Sequence, residues 1–116
     1  MPPWLRSSRN DDSDRVWQVL QNLHTSDPIS CVIHGCAPGA DNQAMIWADM
    51  MPDIKQAPFP ADWRTYGRSA GPIRNKRMIV EGKPDLVVAF PGGRGTANMV
   101  KQSLNAGIDV MKIDWE

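Results

Sequence analysis

Apolar residues recur along the chain at two spacings, which predict helices alternating with short strands. From Ser13 to Leu23 they recur every three or four residues, as on the buried face of a helix, and Ser13 or Asp14 is placed to cap the first turn. Short apolar runs bounded by Gly or Pro predict strands. The predicted helices span residues 13–23, 40–51, 72–81 and 97–106, and the predicted strands span residues 29–33, 54–57, 85–90 and 108–113.

The run at residues 85–90 is the clearest strand prediction. After Asp85 it is apolar without alternation, which indicates a strand covered on both faces, as in a parallel sheet. Parallel strands joined through helices need right-handed crossovers, which place helices on both faces. The order of elements therefore predicts an α/β fold: a single Rossmann-like three-layer domain with a mostly parallel sheet flanked by helices. Residues 54–70 are polar and broken by prolines, so they predict an edge strand at most, followed by a loop.

Length and charge narrow the classes of function. A chain of 116 residues with 41% hydrophobic residues can bury one core, so one domain is expected. The 13 basic and 13 acidic residues cancel, so the long-range positive field that attracts nucleic acid polymers or membranes is missing. No apolar run approaches the ~20 residues that span a bilayer, and the opening residues lack the apolar core of a signal peptide. We therefore expect a cytoplasmic protein.

Two cysteines flank a histidine, at Cys31, His34 and Cys36. A fourth ligand at zinc spacing is absent, so neither a metal nor another cofactor is predicted. Free cysteines are usual in reducing compartments, so no disulfide is predicted either. Cys31 is expected to be a small buried hydrophobe and Cys36 a thiol in a loop.

A glycine-rich turn follows the strand at residues 85–90, and it is the first candidate binding site. Missing Cβ atoms let the backbone approach an anion, and the N–H groups and dipole of the following helix favour negative charge. The alternative is a tight packing turn in which Thr96 caps the helix. The candidate ligand-binding residues here are Pro91, Gly92, Gly93, Arg94, Gly95 and Thr96.

A second turn follows the strand at residues 29–33 and supplies the candidates Gly35, Gly39, Ala40 and Asp41. Because the carboxylate of Asp41 would repel a phosphate at this helix start, it is a candidate for binding ribose hydroxyls. It could equally be an acid that only stabilises the helix.

Between the two turns lies a local basic cluster, of which Arg68 and Lys76 are members. Arg74 and Arg77 are three residues apart, so they share a helix face and could present two guanidinium groups to a phosphate. Asn75 is the neighbouring candidate ligand-binding residue. The alternative for such a run of charges is a solvated face.

These segments together resemble the YspA/YpsA-related family of the SLOG superfamily. The likeness extends over about residues 13–113, and the segments that carry it are residues 35–41, 59–63, 71–78 and 82–96. The resemblance implies a Rossmann-like sheet that binds nucleotides or their derivatives. It also implies a domain spanning residues 13–116, whereas residues 1–12 form a degenerate N-terminal segment or an edge strand in place of the family's opening strand.

The same superfamily contains the lonely-guy phosphoribohydrolases, which use an arginine in an RKxxM segment and a glutamate in a PGGxGTxxE segment. Arg74 and Met78 match the first segment, but Met99 occupies the glutamate position of the second. A thioether can neither stabilise an oxocarbenium ion nor activate water. Candidates for a catalytic role are therefore Arg74 with a displaced carboxylate, Asp41 or Asp62, and the assignment stays open.

Three hypotheses for the function follow. The first is that the protein binds a nucleotide-derived small molecule at the carboxyl edge of the sheet, in order to sense or sequester it. The second is a phosphoribohydrolase or nucleotide N-glycosidase with a relocated carboxylate, and the third is a structural or interaction module with a vestigial site. Exposed Trp17, Trp47 and Met50–Met51 would favour a homo-oligomer, but the same side chains could instead belong to the core.

Overall fold

The computed structural model describes residues 11–36 and 39–114, with side chains from Asp14 onward. The predicted N-terminal segment therefore lies outside the described residues, except for its last two positions. The chain forms two compact units, Met1–Ala57 and Pro58–Glu116.

The first unit contains two helices and two short strands: α1 (Asp11–Ser26), β1 (Cys31–His34), α2 (Ala40–Met50) and, apart from its last residue, β2 (Lys55–Pro58). The apolar periodicity of α1 places Val16, Trp17 and Leu20 on one buried face, which packs against α2. The two helices are also joined by a reciprocal pair of hydrogen bonds. The Trp17 indole N–H donates to Gln43 Oε1 at 3.1 Å, and that of Trp47 donates to Gln21 Oε1 at 3.4 Å.

The strand β1 pairs with β2, and the Lys55 N–H donates to the Ser30 carbonyl at 3.0 Å beside their starts. Side chains alternate along β1, so Val32 and His34 are buried whereas Cys31 is exposed. The expectation that Cys31 is buried is therefore wrong, because it occupies the outward face of a strand only four residues long. Both cysteines, Cys31 and Cys36, are free and exposed.

The second unit begins with a short helix, α3 (Trp63–Tyr66), and a 3-10 turn (Gly67–Ser69). It continues with α4 (Ala70–Val80), β3 (Leu86–Ala89), α5 (Arg94–Asn105) and β4 (Asp109–Lys112). The strands β3 and β4 are parallel, in a register that aligns Leu86 with Asp109 and Ala89 with Lys112. Since α5 is the crossover between them, the start of α5 lies beyond the carboxyl end of β3.

The α/β class is confirmed, and so is the order of the predicted helices and strands. Within the described residues the strands form two separate two-stranded sheets, so one continuous sheet in a three-layer domain is not shown. Two details differ from expectation. Residues 63–69 are helical instead of a loop, and β3 alternates, with Leu86 38% exposed and Val87 buried, instead of being covered on both faces.

None of the helices in the described part of the chain has the length and apolar composition needed to cross a bilayer.

Candidate functional site

The glycine turn connects β3 to α5 in the second unit. Pro91, Gly92, Gly93 and Gly95 are exposed, and α5 begins at Arg94. Gly93 is the N-cap residue and no side chain caps the helix, so the predicted alternative in which Thr96 is the cap is wrong. The first N–H groups of a helix have no acceptor within the helix, and here no cap satisfies them. The turn therefore offers backbone donors to an anion.

Two glycines of the turn, Gly92 and Gly95, differ in how much space a side chain would find around them. A Cβ on Gly92 would overlap the hydroxyl of Thr96 and come within 3.3 Å of the Thr96 Cβ, so any larger residue there would displace the Thr96 side chain. A Cβ on Gly95 would meet nothing within 4 Å. Gly95 lies in the first turn of α5, where alanine would be a better helix former, so neither packing nor helix formation accounts for it.

Asn75 joins α4 to the start of α5. Its side chain is 5% exposed and donates to the Gly95 carbonyl at 3.2 Å and to Asn98 Oδ1 at 3.1 Å. Its own Oδ1 accepts from Arg74 Nε at 3.0 Å. The structure thus brings Arg74, Asn75 and Gly95 together, and the buried amide orients the guanidinium beside the turn.

Two further residues of this network were missed in the sequence. Gln102 Nε2 donates to Asn98 Oδ1 at 2.7 Å and to the Pro72 carbonyl at 3.1 Å. Asn98 and Gln102 are four residues apart, so they lie on one flank of α5, facing α4. Polar residues at this spacing are usually interpreted as a solvated face, and the sequence alone does not show which helix they face.

Arg77 makes its contacts elsewhere on α4. Its Nε donates to Glu81 Oε2 at 3.0 Å, and its guanidinium carbon lies 5.4 Å from the centroid of the Phe59 ring. The hydrogen bond to Glu81 raises the pKa of Arg77 above its usual value, and the same bond lowers the pKa of Glu81. Both side chains are about half exposed, so this pair adds little stability. A role for Arg77 in phosphate binding stays a prediction.

An open cleft of about 480 Å³ lies on the flank of α5 away from α4. Residues Ala97, Lys101 and Leu104 lie on this flank, and Lys112 at the end of β4 and Ile113 after it complete this part of the lining. Ligand sites are commonly of this size. The two lysines favour an anionic occupant, and neither was singled out in the sequence. The full lining is Ala89, Phe90, Pro91, Gly92, Gly93, Thr96, Ala97, Val100, Lys101, Leu104, Lys112 and Ile113.

The other predicted turn lies in the first unit, before α2. The buried Gly35 donates its N–H to Asp41 Oδ2 at 3.0 Å, so the carboxylate closes the turn. Gly39 is the N-cap of α2 with φ of 87°, a value that favours glycine, and Ala40 opens the helix. Binding of ribose by Asp41 stays a prediction.

His34, at the end of β1, is buried and uses both ring nitrogens. Its Nδ1 accepts from the Cys36 N–H at 3.3 Å, so Nε2 carries the hydrogen and donates to Gln56 Oε1 at 3.1 Å. Gln56 in turn donates to Asp49 Oδ1. These bonds fit a packed residue at the end of a strand.

The candidate carboxylates have structural partners. Asp62 Oδ1 accepts from the Thr65 N–H at 3.1 Å, so Asp62 caps α3. Hydrogen bonding with Thr65, through its side chain first and its backbone N–H second, lowers the pKa of Asp62. A lowered pKa keeps the carboxyl ionised at neutral pH, which is the form that stabilises an oxocarbenium ion or activates water, so a catalytic role for Asp62 stays a prediction. Met99, at the position of the hydrolase glutamate, is half-buried in α5. Among the described residues that line the cleft there is no carboxylate. In the described part of the chain, no three His, Cys, Asp or Glu side chains are grouped to hold a metal.

Comparisons with known proteins give a family and a relative. The family model described as "YspA, cpYpsA-related SLOG family" matches residues 7–66. The Gene 61 protein of Mycobacterium phage D29 is 36% identical over 111 residues, an alignment that covers 86% of this chain and 85% of that protein. No solved structure matches significantly.

Proposed function

Since the chain belongs to the YspA, cpYpsA-related SLOG family, we propose that it binds a nucleotide-derived small molecule with a phosphate on the glycine turn. Family membership supports nucleotide-related ligand binding in general. The proposal adds the place, the first turn of α5, and the role, sensing or sequestration of the ligand.

Gly95 is the observation that carries the proposal. Glycine costs a helix about 1 kcal/mol relative to alanine in interior positions, and a Cβ at Gly95 has open space around it. The fold therefore gains nothing from glycine at this position. A bare backbone in the first turn does bring an anion closer to the uncapped N–H groups, so the cost is offset when a phosphate binds.

The neighbouring cations support the same location. Arg74 is held against Asn75, whose amide contacts the Gly95 carbonyl, so a guanidinium is fixed on one side of the turn. Lys101 and Lys112 line the cleft on the other side. The chain as a whole is neutral, so this local positive charge favours a small anion and gives no long-range attraction for a polymer.

Isothermal titration calorimetry with AMP, ADP-ribose and ribose 5-phosphate tests the proposal on Arg74→Ala and Lys76→Ala. A charge-assisted hydrogen bond contributes about 1.5–3 kcal/mol, so Arg74→Ala should weaken phosphate binding roughly tenfold or more. Lys76 is an exposed cation on the same helix and serves as the matched control. No binding of any probe, or equal affinities of the two variants, would contradict the proposal.

Gly95→Ala separates binding from folding. The substitution should raise the melting temperature slightly, because alanine favours a helix over glycine, although by less in this first turn than the about 1 kcal/mol of interior positions. It should also weaken binding of the phosphate. A variant that is both more stable and equally tight in binding would show that the bare backbone at Gly95 has no part in the site.

A further inference from the structure

Two aromatic side chains are exposed on α3, Trp63 by 59% and Tyr66 by 50%. They are three residues apart, so they lie on the same face of this short helix. The aromatic surface that they form, Trp63 with Tyr66, lies largely outside the core of the second unit. An indole face open to solvent can take a planar ligand without any rearrangement of the core.

The position of Trp63 is fixed from two sides. The Asp62 carboxylate caps α3 through the Thr65 N–H at 3.1 Å, which holds the helix at its start. One edge of the indole lies against the start of α4, where a Cβ on Gly71 would be 3.5 Å from Trp63 Cη2. The ring is therefore held at one edge and open over much of its surface.

Successive contacts connect this ring to the glycine turn. Gly71, Arg74 and Asn75 are spaced by three and four residues, so they share one face of α4. At 1.5 Å per residue, Gly71 and Asn75 are about 6 Å apart along the helix axis. Asn75 then contacts the Gly95 carbonyl at 3.2 Å. An indole, a guanidinium and an anion-binding turn thus lie in succession within one unit, linked through the buried residues Gly71 and Asn75.

The charge of this segment completes the match to a nucleotide. From Trp63 to Val80 the sequence contains five cations and no carboxylate. Arg77 pairs with Glu81 and Lys76 lies off the face that Gly71 and Arg74 share, so the positive charge assigned to the site comes from Arg64, Arg68 and Arg74. An exposed aromatic ring beside clustered positive charge is the combination that binds a base and its phosphates, since every nucleobase has a face that stacks on an aromatic side chain.

We propose that Trp63 stacks on the nucleobase of the ligand and makes the site select nucleotides over other phosphate esters. This inference rests on the proposed function, because it assumes a phosphate on the glycine turn. The cleft beside Lys101 is the rival place for the base, but its walls are mainly aliphatic, with Phe90 as their one aromatic side chain among the lining residues.

Calorimetry with AMP and ribose 5-phosphate tests the inference, because the second probe keeps the phosphate and lacks the base. Trp63→Leu should lower the affinity for AMP roughly tenfold and leave that for ribose 5-phosphate unchanged. Trp63→Phe keeps an aromatic face and should retain most of the AMP affinity. Val80→Ala, at a residue of α4 that is 58% exposed, is the control for loss of exposed apolar surface.

Each other outcome has a definite meaning. Equal losses for AMP and ribose 5-phosphate in Trp63→Leu, or no loss for either, overturn the inference and leave the proposed function standing. A selective loss of AMP binding in Leu104→Ala places the base in the cleft and also overturns it. No binding of either probe by the unmodified protein removes the proposed function and the inference together. Quenching of tryptophan fluorescence by AMP that is reduced in Trp63→Phe gives a second readout on folded protein.

Discussion

Replacing Asn75 by alanine tests whether one buried amide holds α4 to the start of α5. The substitution removes the donors to the Gly95 carbonyl and Asn98 Oδ1 and the acceptor for Arg74 Nε, at 3.2, 3.1 and 3.0 Å respectively. It leaves the backbone of both helices intact, because alanine is a good helix former. The change is therefore confined to the link between the helices.

The expected loss of stability depends on what each hydrogen-bond partner of Asn75 can bind after the substitution. Each of the three hydrogen bonds contributes about 0.5–1.5 kcal/mol, so the free energy of unfolding should fall by between about 1.5 and 4.5 kcal/mol. The Gly95 carbonyl belongs to an exposed residue and can bind water, and Asn98 keeps its bond from Gln102. The lower half of the range is thus expected, about 2 kcal/mol in the free energy of unfolding. Asn105→Ala, at an exposed residue of α5, should cost under about 0.5 kcal/mol.

Urea unfolding followed by circular dichroism measures both variants. With a slope of about 1–2 kcal/mol per molar urea, Asn75→Ala should lower the midpoint by roughly 1 M, and Asn105→Ala should leave it nearly unchanged. The double variant Asn75→Ala with Asn98→Ala should cost less than the sum of the two single changes, because the two side chains share a bond. Midpoints of Asn75→Ala and Asn105→Ala that agree within error would refute the assignment of Asn75 as the link.

Two further predictions concern the glycine turn and α3. Gly92→Ala should destabilise the protein by about 1–3 kcal/mol, because the new Cβ overlaps the Thr96 hydroxyl. Adding Thr96→Ala should restore part of the lost stability in a thermal melt. If it restores none, the strain does not come from Thr96. Hydrogen bonding with Thr65, through its side chain first and its backbone N–H second, lowers the pKa of Asp62. The contribution of these bonds to stability is therefore complete above the ordinary Asp pKa and is lost as pH falls through the lowered value. Titration of the Asp62 carboxyl by NMR should show that lowered midpoint, and a midpoint at or above the value of an unpaired Asp would contradict the cap.

The sequence predicted α1 within a few residues because its apolar face repeats over several turns. The short strand β3 was placed equally well because its apolar run is uninterrupted and ends at a glycine-rich turn. The helix α3 was missed because four residues are too few for periodicity, and its main local signal is the cap by Asp62. The exposure of Cys31 depends on which face of a four-residue strand is covered, which composition does not determine.

For the candidate site, the sequence predicted the glycine turn but not most of the side chains that contact it or line the cleft beside it. The glycines of residues 91–96 are recognisable by themselves, since few structures need so many bare backbone positions before a helix. The network of Asn75, Asn98 and Gln102 forms only when two helices pack with their polar flanks together, which is a tertiary property. Lys101 and Lys112 likewise line the same cleft only because the crossover from β3 to β4 brings α5 and the end of β4 together.

Both thiols of the chain lie in one unit. The sequence contains two cysteines, both are exposed in the first unit, and the second unit with its glycine turn contains none. A maleimide dye therefore attaches only to the first unit and leaves every residue of the proposed phosphate site unmodified. Serine at Cys31 or at Cys36 reduces the attachment to one position. Single-site fluorescence or spin labelling thus needs one substitution in the first unit and none in the unit that contains the glycine turn.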